Sequence, residues 1–153
     1  MKYLSSYLLL GVLRLALGWI FLWGFLDKVS GWAAGGSPTT GFLTNATQGP
    51  FQPLFQSLAG QAWVDWLFML GLLLIGVALI LGVGVKIAGW TGAIMMALMF
   101  LAVLPPEHNP ILDEHVVYLL LLVGFTVSDA GDYLGFGKWW GSVPFVKKYA
   151  WLR

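Results

Sequence analysis

The chain contains no cysteine. That absence excludes disulfides, thiolate nucleophiles, Cys-ligated zinc and Cys-held iron–sulfur clusters, so a redox role has to rest on a bound cofactor or on a partner. It also leaves the redox compartment unreadable from cysteine usage. Charge is scarce too: only 10% of the 153 residues are Asp, Glu, Lys or Arg, and the net charge is +1. No basic block is dense enough to follow a phosphate backbone, which excludes nucleic acid as a partner. What fills the chain instead is 59% hydrophobic residues, with a mean hydropathy of +0.82. That composition excludes disorder and points to a bilayer rather than to water. Nine Trp, ten Phe, five Tyr and twenty Gly fit the same setting, where aromatics seat at interfaces and Gly lets helices approach closely.

Four apolar runs predict an all-α, integral membrane four-helix bundle in one domain, with spans at residues 4–26, 64–83, 87–104 and 115–132. Lys2 before the first run and Ala33-Ala34-Gly35 after it imitate a cleaved leader. The run is too long for one and carries Arg14, so it reads as a retained helix. Gly84-Val85-Lys86 allows only an antiparallel hairpin between the second and third spans. Lys2, Lys86, Lys138, Lys147, Lys148 and Arg153 lie on the side shared by both termini, against Lys28 on the other, so the termini are expected in the cytoplasm of a plasma-membrane protein. The long first loop, residues 27–62, is then external and rests on the membrane surface with Trp32, Phe42, Phe51 and Phe55. After the fourth span, Lys138-Trp139-Trp140 and Lys147-Lys148-Tyr149 have the composition of a segment lying on the inner leaflet.

Arg14 is the most informative position, because a guanidinium deep in a membrane helix costs roughly 2.5 to 3.5 kcal/mol unless something answers it. It shares a helix face with Gly18, Phe21 and Phe25. On the fourth span His115, Tyr118, Leu122, Thr126 and Asp129 fall in one stripe. Counting from the outer ends places Arg14 and Asp129 at depths within about 3 Å of each other, which predicts an ion pair that either fixes register or helps to form a site. The third loop gathers Glu107, His108, Asp113, Glu114 and His115, a set able to hold a metal, relay protons or bind the head group of a quinone. Asp113 and Glu114 also have a plainer role as N-terminal caps of the fourth helix. Two His on one loop and its adjoining helix do not suit a haem, and no metal is expected. Met95, Met96 and Met99 read as packing residues, and Gly89, Ala93 and Ala97 as a close-contact stripe.

The segment R-L-A-L-G-W-I-F-L-W-G-F-L-D-K from Arg14 to Lys28, with S-P-T-T-G-F-L from Ser37, V-D-W-L-F-M-L-G from Val64, L-P-P-E-H-N-P-I-L-D-E-H from Leu104 and the closing K-K-Y-A-W-L-R, resembles the DoxX/DoxD family of small four-helix membrane proteins. Asp132 departs from the Arg usual in that family's A-G-R-Y-L-G-like segment. The family includes the small subunit of thiosulfate:quinone oxidoreductase. The resemblance therefore implies a membrane subunit of a redox complex that interacts with quinone and is linked to oxidation of a sulfur compound. On that reading Arg14, Tyr118 and Asp129 bind substrate, Arg14, His115 and Tyr118 hold the quinone between the first and fourth helices, and His115 with Glu114 moves protons. Expected partners are membrane lipid, a redox subunit and a second copy of the chain. The alternative is a non-catalytic membrane scaffold or small-solute carrier, in which the same polar stripe only staples the bundle.

Overall fold

A computed structural model describes residues 2–106, 109 and 111–153. Helix α1 (Lys2–Ala33) is followed by two short helices, α2 (Thr40–Asn45) and α3 (Gln52–Gln56), then by α4 (Ala62–Leu81), α5 (Val85–Ala102), α6 (Glu114–Val127) and two further short helices, α7 (Gly137–Ser142) and α8 (Pro144–Lys148). Three of these are long and apolar enough to cross a membrane, over Ser6–Ala33, Ala62–Leu81 and Val85–Ala102; α6 is apolar but shorter. The protein is a multi-pass helical bundle. Helix α1 packs on α4 and α5 packs on α6, while α4 and α5 join the two pairs.

Small residues set how closely these helices approach. A Cβ on Gly18 would lie 2.9 Å from the Leu79 Cβ, and one on Gly76 would lie 2.7 Å from the Leu22 backbone nitrogen, so α1 and α4 meet backbone to backbone. Gly89 does the same for α5 and α6, where a Cβ would stand 2.8 Å from the Leu122 carbonyl. Between the pairs the core is filled by Leu17, Phe21, Ile75, Leu79, Met96, Leu122 and Phe125, with Met95 and Met99 against it, so the methionines pack as expected. The turn between α4 and α5 is Gly82–Gly84, with φ of +72° at Gly82 and +63° at Gly84, values that a residue with a side chain rarely adopts.

Two boundaries depart from the sequence expectation. Helix α1 continues past Leu26 to Ala33, because Asp27 and Lys28 leave the apolar run without breaking the helix and pair with each other at 3.1 Å. It ends where Gly35 takes φ +89°. At the other extreme, α6 stops at Val127 instead of reaching residue 132. At about 1.5 Å per residue its 14 residues span only about 21 Å, against a hydrocarbon core of about 30 Å. Asp129 at φ +46° and Leu134 at φ +54° turn the chain out of the helix around a single 3₁₀ turn, Ala130–Asp132. Such backbone is tolerated at membrane depth only where another part of the protein satisfies its polar groups.

The candidate site and its surroundings

Arg14 is that other part. Its side chain is fully buried, and each of its five N–H donors meets a backbone carbonyl. Nε donates to Ala130 at 3.1 Å, Nη1 to Leu79 and, at 3.1 Å, to Ile80, and Nη2 to Tyr133 at 2.9 Å and Leu134 at 3.0 Å. Leu79 and Ile80 lie in the last turn of α4, where carbonyls lack helical partners and the helix dipole is negative. Ala130, Tyr133 and Leu134 belong to the irregular segment after α6. One guanidinium therefore closes two chain breaks at once, on the side of the bundle that carries the termini.

The expected ion pair between Arg14 and Asp129 is not formed. With the helix broken at Val127, Asp129 leaves the inward stripe, and its half-exposed carboxylate lies 3.9 Å from Nε of Arg153. The same arginine donates from Nη2 to Asp132 at 2.8 Å. Arg153 thus draws both carboxylates of this region, while Arg14 uses dipoles alone. Nearby, the Tyr7 and Tyr133 rings stack with centroids 4.6 Å apart. Desolvation, with smaller contributions from Tyr7, Asp132 and Asp129, pushes the Tyr133 phenol above its ordinary pKa.

His115 stands at the opposite end of the bundle. Asp113 caps α6 through Oδ1, accepting from the backbone N–H of His115 at 3.1 Å and of Val116 at 3.3 Å, and its Oδ2 contacts His115 Nδ1 at 2.6 Å. The capping role expected of Asp113 is therefore present, and the same carboxylate also orients the imidazole. Glu114 is exposed in the first turn, and its side chain makes no hydrogen bond or ion pair among the described residues. Tyr118 faces inward and packs on the core. Glu107 and His108 lie outside the described residues. From His115 to Ala130 the chain covers roughly 20 Å at about 1.5 Å per residue, so Arg14 does not share a cavity with His115 and Tyr118.

A shallow apolar groove lies along α6 on the side where α1 scarcely touches it. Leu10, Val117, Leu120, Leu121, Gly124 and Phe125 line this groove, which has a volume of about 260 Å³ and is open on the outer surface of the bundle. At about 100° per residue, Val117, Leu120, Leu121 and Gly124 of its α6 wall lie on the face opposite His115, with Phe125 at the edge of that face.

Sequence reasoning missed the group that holds the loop side. Asp65, in the first turn of α4 and nearly buried, accepts from Thr39 Oγ1 at 2.6 Å, Ser37 Oγ at 2.9 Å and Thr39 N at 3.3 Å. Gln48 adds a second tie, its side-chain amide donating to the carbonyls of Pro105 at 2.7 Å and Val103 at 3.0 Å, and its backbone N–H to Ala102 at 3.0 Å. The first loop is thus a fixed cap on the bundle, not only a surface segment. A lone carboxylate opening an apolar run, with two hydroxyl residues upstream, is the signal that was available for Asp65.

No curated protein and no solved structure matches the chain. The DoxX family model matches residues 9–105, a stretch that holds Arg14, both partners of the Asp65 staple and nearly all of the first three spans, so the chain belongs to the DoxX family.

Proposed function

We propose that this chain is the membrane-integral subunit of a quinone-linked redox assembly, and that its own contribution is to seat the isoprenoid tail of the quinone while a partner subunit oxidises a sulfur compound of the thiosulfate type. The observation that carries this reading is the apolar groove between α1 and α6, open on the outer surface of the bundle. A lipid-soluble tail enters such a groove laterally and removes apolar surface from both walls. Family membership supports the same reading.

The residues fit the tail better than the head group. Every donor of Arg14 is already bonded to a carbonyl, and His115 lies on the far face of α6 from the groove. The reading accordingly assigns no proton or electron step to Arg14. The pair of Asp113 and His115 retains the geometry of an oriented acid–base group at the loop-side membrane boundary. Lys86, Lys138, Lys147, Lys148 and Arg153 fall on the terminus side, opposite Lys28, which supports cytoplasmic termini in a plasma-membrane protein.

A second reading, the non-catalytic scaffold, is favoured by the saturation of Arg14 itself, since a cation fully engaged by backbone serves structure first. Quinone extraction separates the two. The purified chain should carry quinone, and filling the groove with Gly124→Leu and Leu121→Trp should remove it; a Cβ at Gly124 meets open space, so the first change enters the groove without a clash. Absence of quinone from the native chain, with a partner still co-purifying, would establish the scaffold.

A further inference from the structure

The segment after α6 ends in a collar whose chemistry the groove and the Arg14 clamp leave unused. Helices α7 and α8 and the final turn Ala150–Leu152 bury little of their own apolar surface: Val146 faces inward at 2% exposure, whereas Trp139, Phe145 and Trp151 each stand 63% exposed. The collar is nonetheless fixed to the bundle. Trp140 Nε1 donates to the Leu152 carbonyl at 2.7 Å, the Lys86 backbone N–H at the start of α5 donates to the Arg153 carbonyl at 2.8 Å, and Arg153 holds Asp132. Aromatic side chains exposed on a rigid support are therefore held out by the fold, directly where the membrane-crossing helices end.

Charge says what meets them. Lys138, Lys147 and Lys148 are all exposed, and none has a carboxylate within ion-pair distance among the described residues, because the two carboxylates of this region face Arg153. Two of the three lie over aromatic rings, Lys138 Nζ 5.9 Å from the centroid of Tyr133 and Lys148 Nζ 5.5 Å from that of Tyr149. Phe145 of α8 and Tyr149, just past its end, meet edge to face at 5.2 Å, and Lys148 lies away from Val146. Lys138 and Lys148 are thus paired with rings, each an amphipathic unit with an apolar body and a cationic tip, as suits the boundary between acyl chains and head groups.

We propose that this collar is a binding surface for anionic phospholipid head groups in the terminus-side leaflet, with Lys138, Lys147 and Lys148 contacting the phosphates and Trp139, Phe145 and Trp151 seated at the acyl boundary. The collar selects lipid by charge and owes nothing to the quinone reading. Near an anionic surface each lysine changes the preference by about fivefold, so removing all three lowers it by about a hundredfold at most.

The test uses the full chain in mixed detergent–lipid micelles containing equal phosphatidylglycerol and phosphatidylcholine. The native chain should retain phosphatidylglycerol in excess and unfold at a higher temperature with it than with phosphatidylcholine alone. Lys138→Gln, Lys147→Gln and Lys148→Gln together should abolish both effects while leaving the unfolding temperature in phosphatidylcholine unchanged. Arginine at the same three positions should keep them, which guards against a folding defect in the glutamine variant. Equal retention of the two lipids by the native chain, the signature of a collar that docks protein instead, would overturn the proposal. So would an undiminished preference in the glutamine variant. Stabilisation by inorganic phosphate equal to that by phosphatidylglycerol would overturn it too, since the ligand would then be a free anion and not a lipid.

Discussion

At its terminus side the bundle is closed by a buried cation that donates to five carbonyls, and at its loop side by a buried carboxylate that accepts from two hydroxyls and one amide. The two arrangements have opposite signs and a common logic. Each places one ionised side chain against neutral dipoles, so neither depends on a second buried charge and its desolvation. The difference lies in what each one repairs. Arg14 answers helix-end and irregular carbonyls, which need donors in a forked, planar array, and guanidinium has five such donors. Asp65 answers hydroxyls and an amide from one loop, for which a single carboxylate oxygen suffices.

This contrast orders the expected effects of mutation. Arg14→Leu leaves five buried carbonyls on two segments without donors, and should cost about 3 to 5 kcal/mol in thermal or denaturant unfolding in detergent. Arg14→Lys should recover only part of that, since three donors on one nitrogen do not reproduce the fork. Asp65→Ala should cost about 2 kcal/mol, with Asp65→Asn recovering most of it because an acceptor oxygen remains. Its signature is local: faster proteolysis between residues 37 and 60, with the terminus side unaffected. Gln48→Ala should cost about 1 kcal/mol, as the backbone bond from Gln48 to Ala102 persists. Asp129→Asn should stay within about 0.5 kcal/mol, and its effect should add to that of Arg14→Leu in a double-mutant cycle. Strong coupling between those two positions would restore the ion pair and break the comparison.

How much of this was legible beforehand follows from what sequence encodes. The spans were readable because hydrophobic runs of that length have few other uses, and the close contact at Gly89 because small residues recur there at helical spacing. That Arg14 needed partners was also readable. Their identity was not, since backbone carbonyls belong to every residue and leave no mark in the sequence. The matched depth with Asp129 misled because it assumed that α6 continued to residue 132, whereas nothing local to Leu134 announces its left-handed backbone. The same early end of α6 separates the expected site residues. Arg14 meets the chain beyond the helix at one end, and His115 remains at the other with Asp113.

Amide hydrogen exchange on the ligand-free native chain and on a folded Arg14→Gln variant tests most directly whether Arg14 is a backbone clamp. The clamp predicts faster exchange in the variant at residues 79–86 and 129–137 together, with the loop-side cap around Asp65 unchanged. Unchanged exchange in both segments, with the variant altered only in its affinity for quinone, would contradict the clamp and make Arg14 a ligand-binding residue.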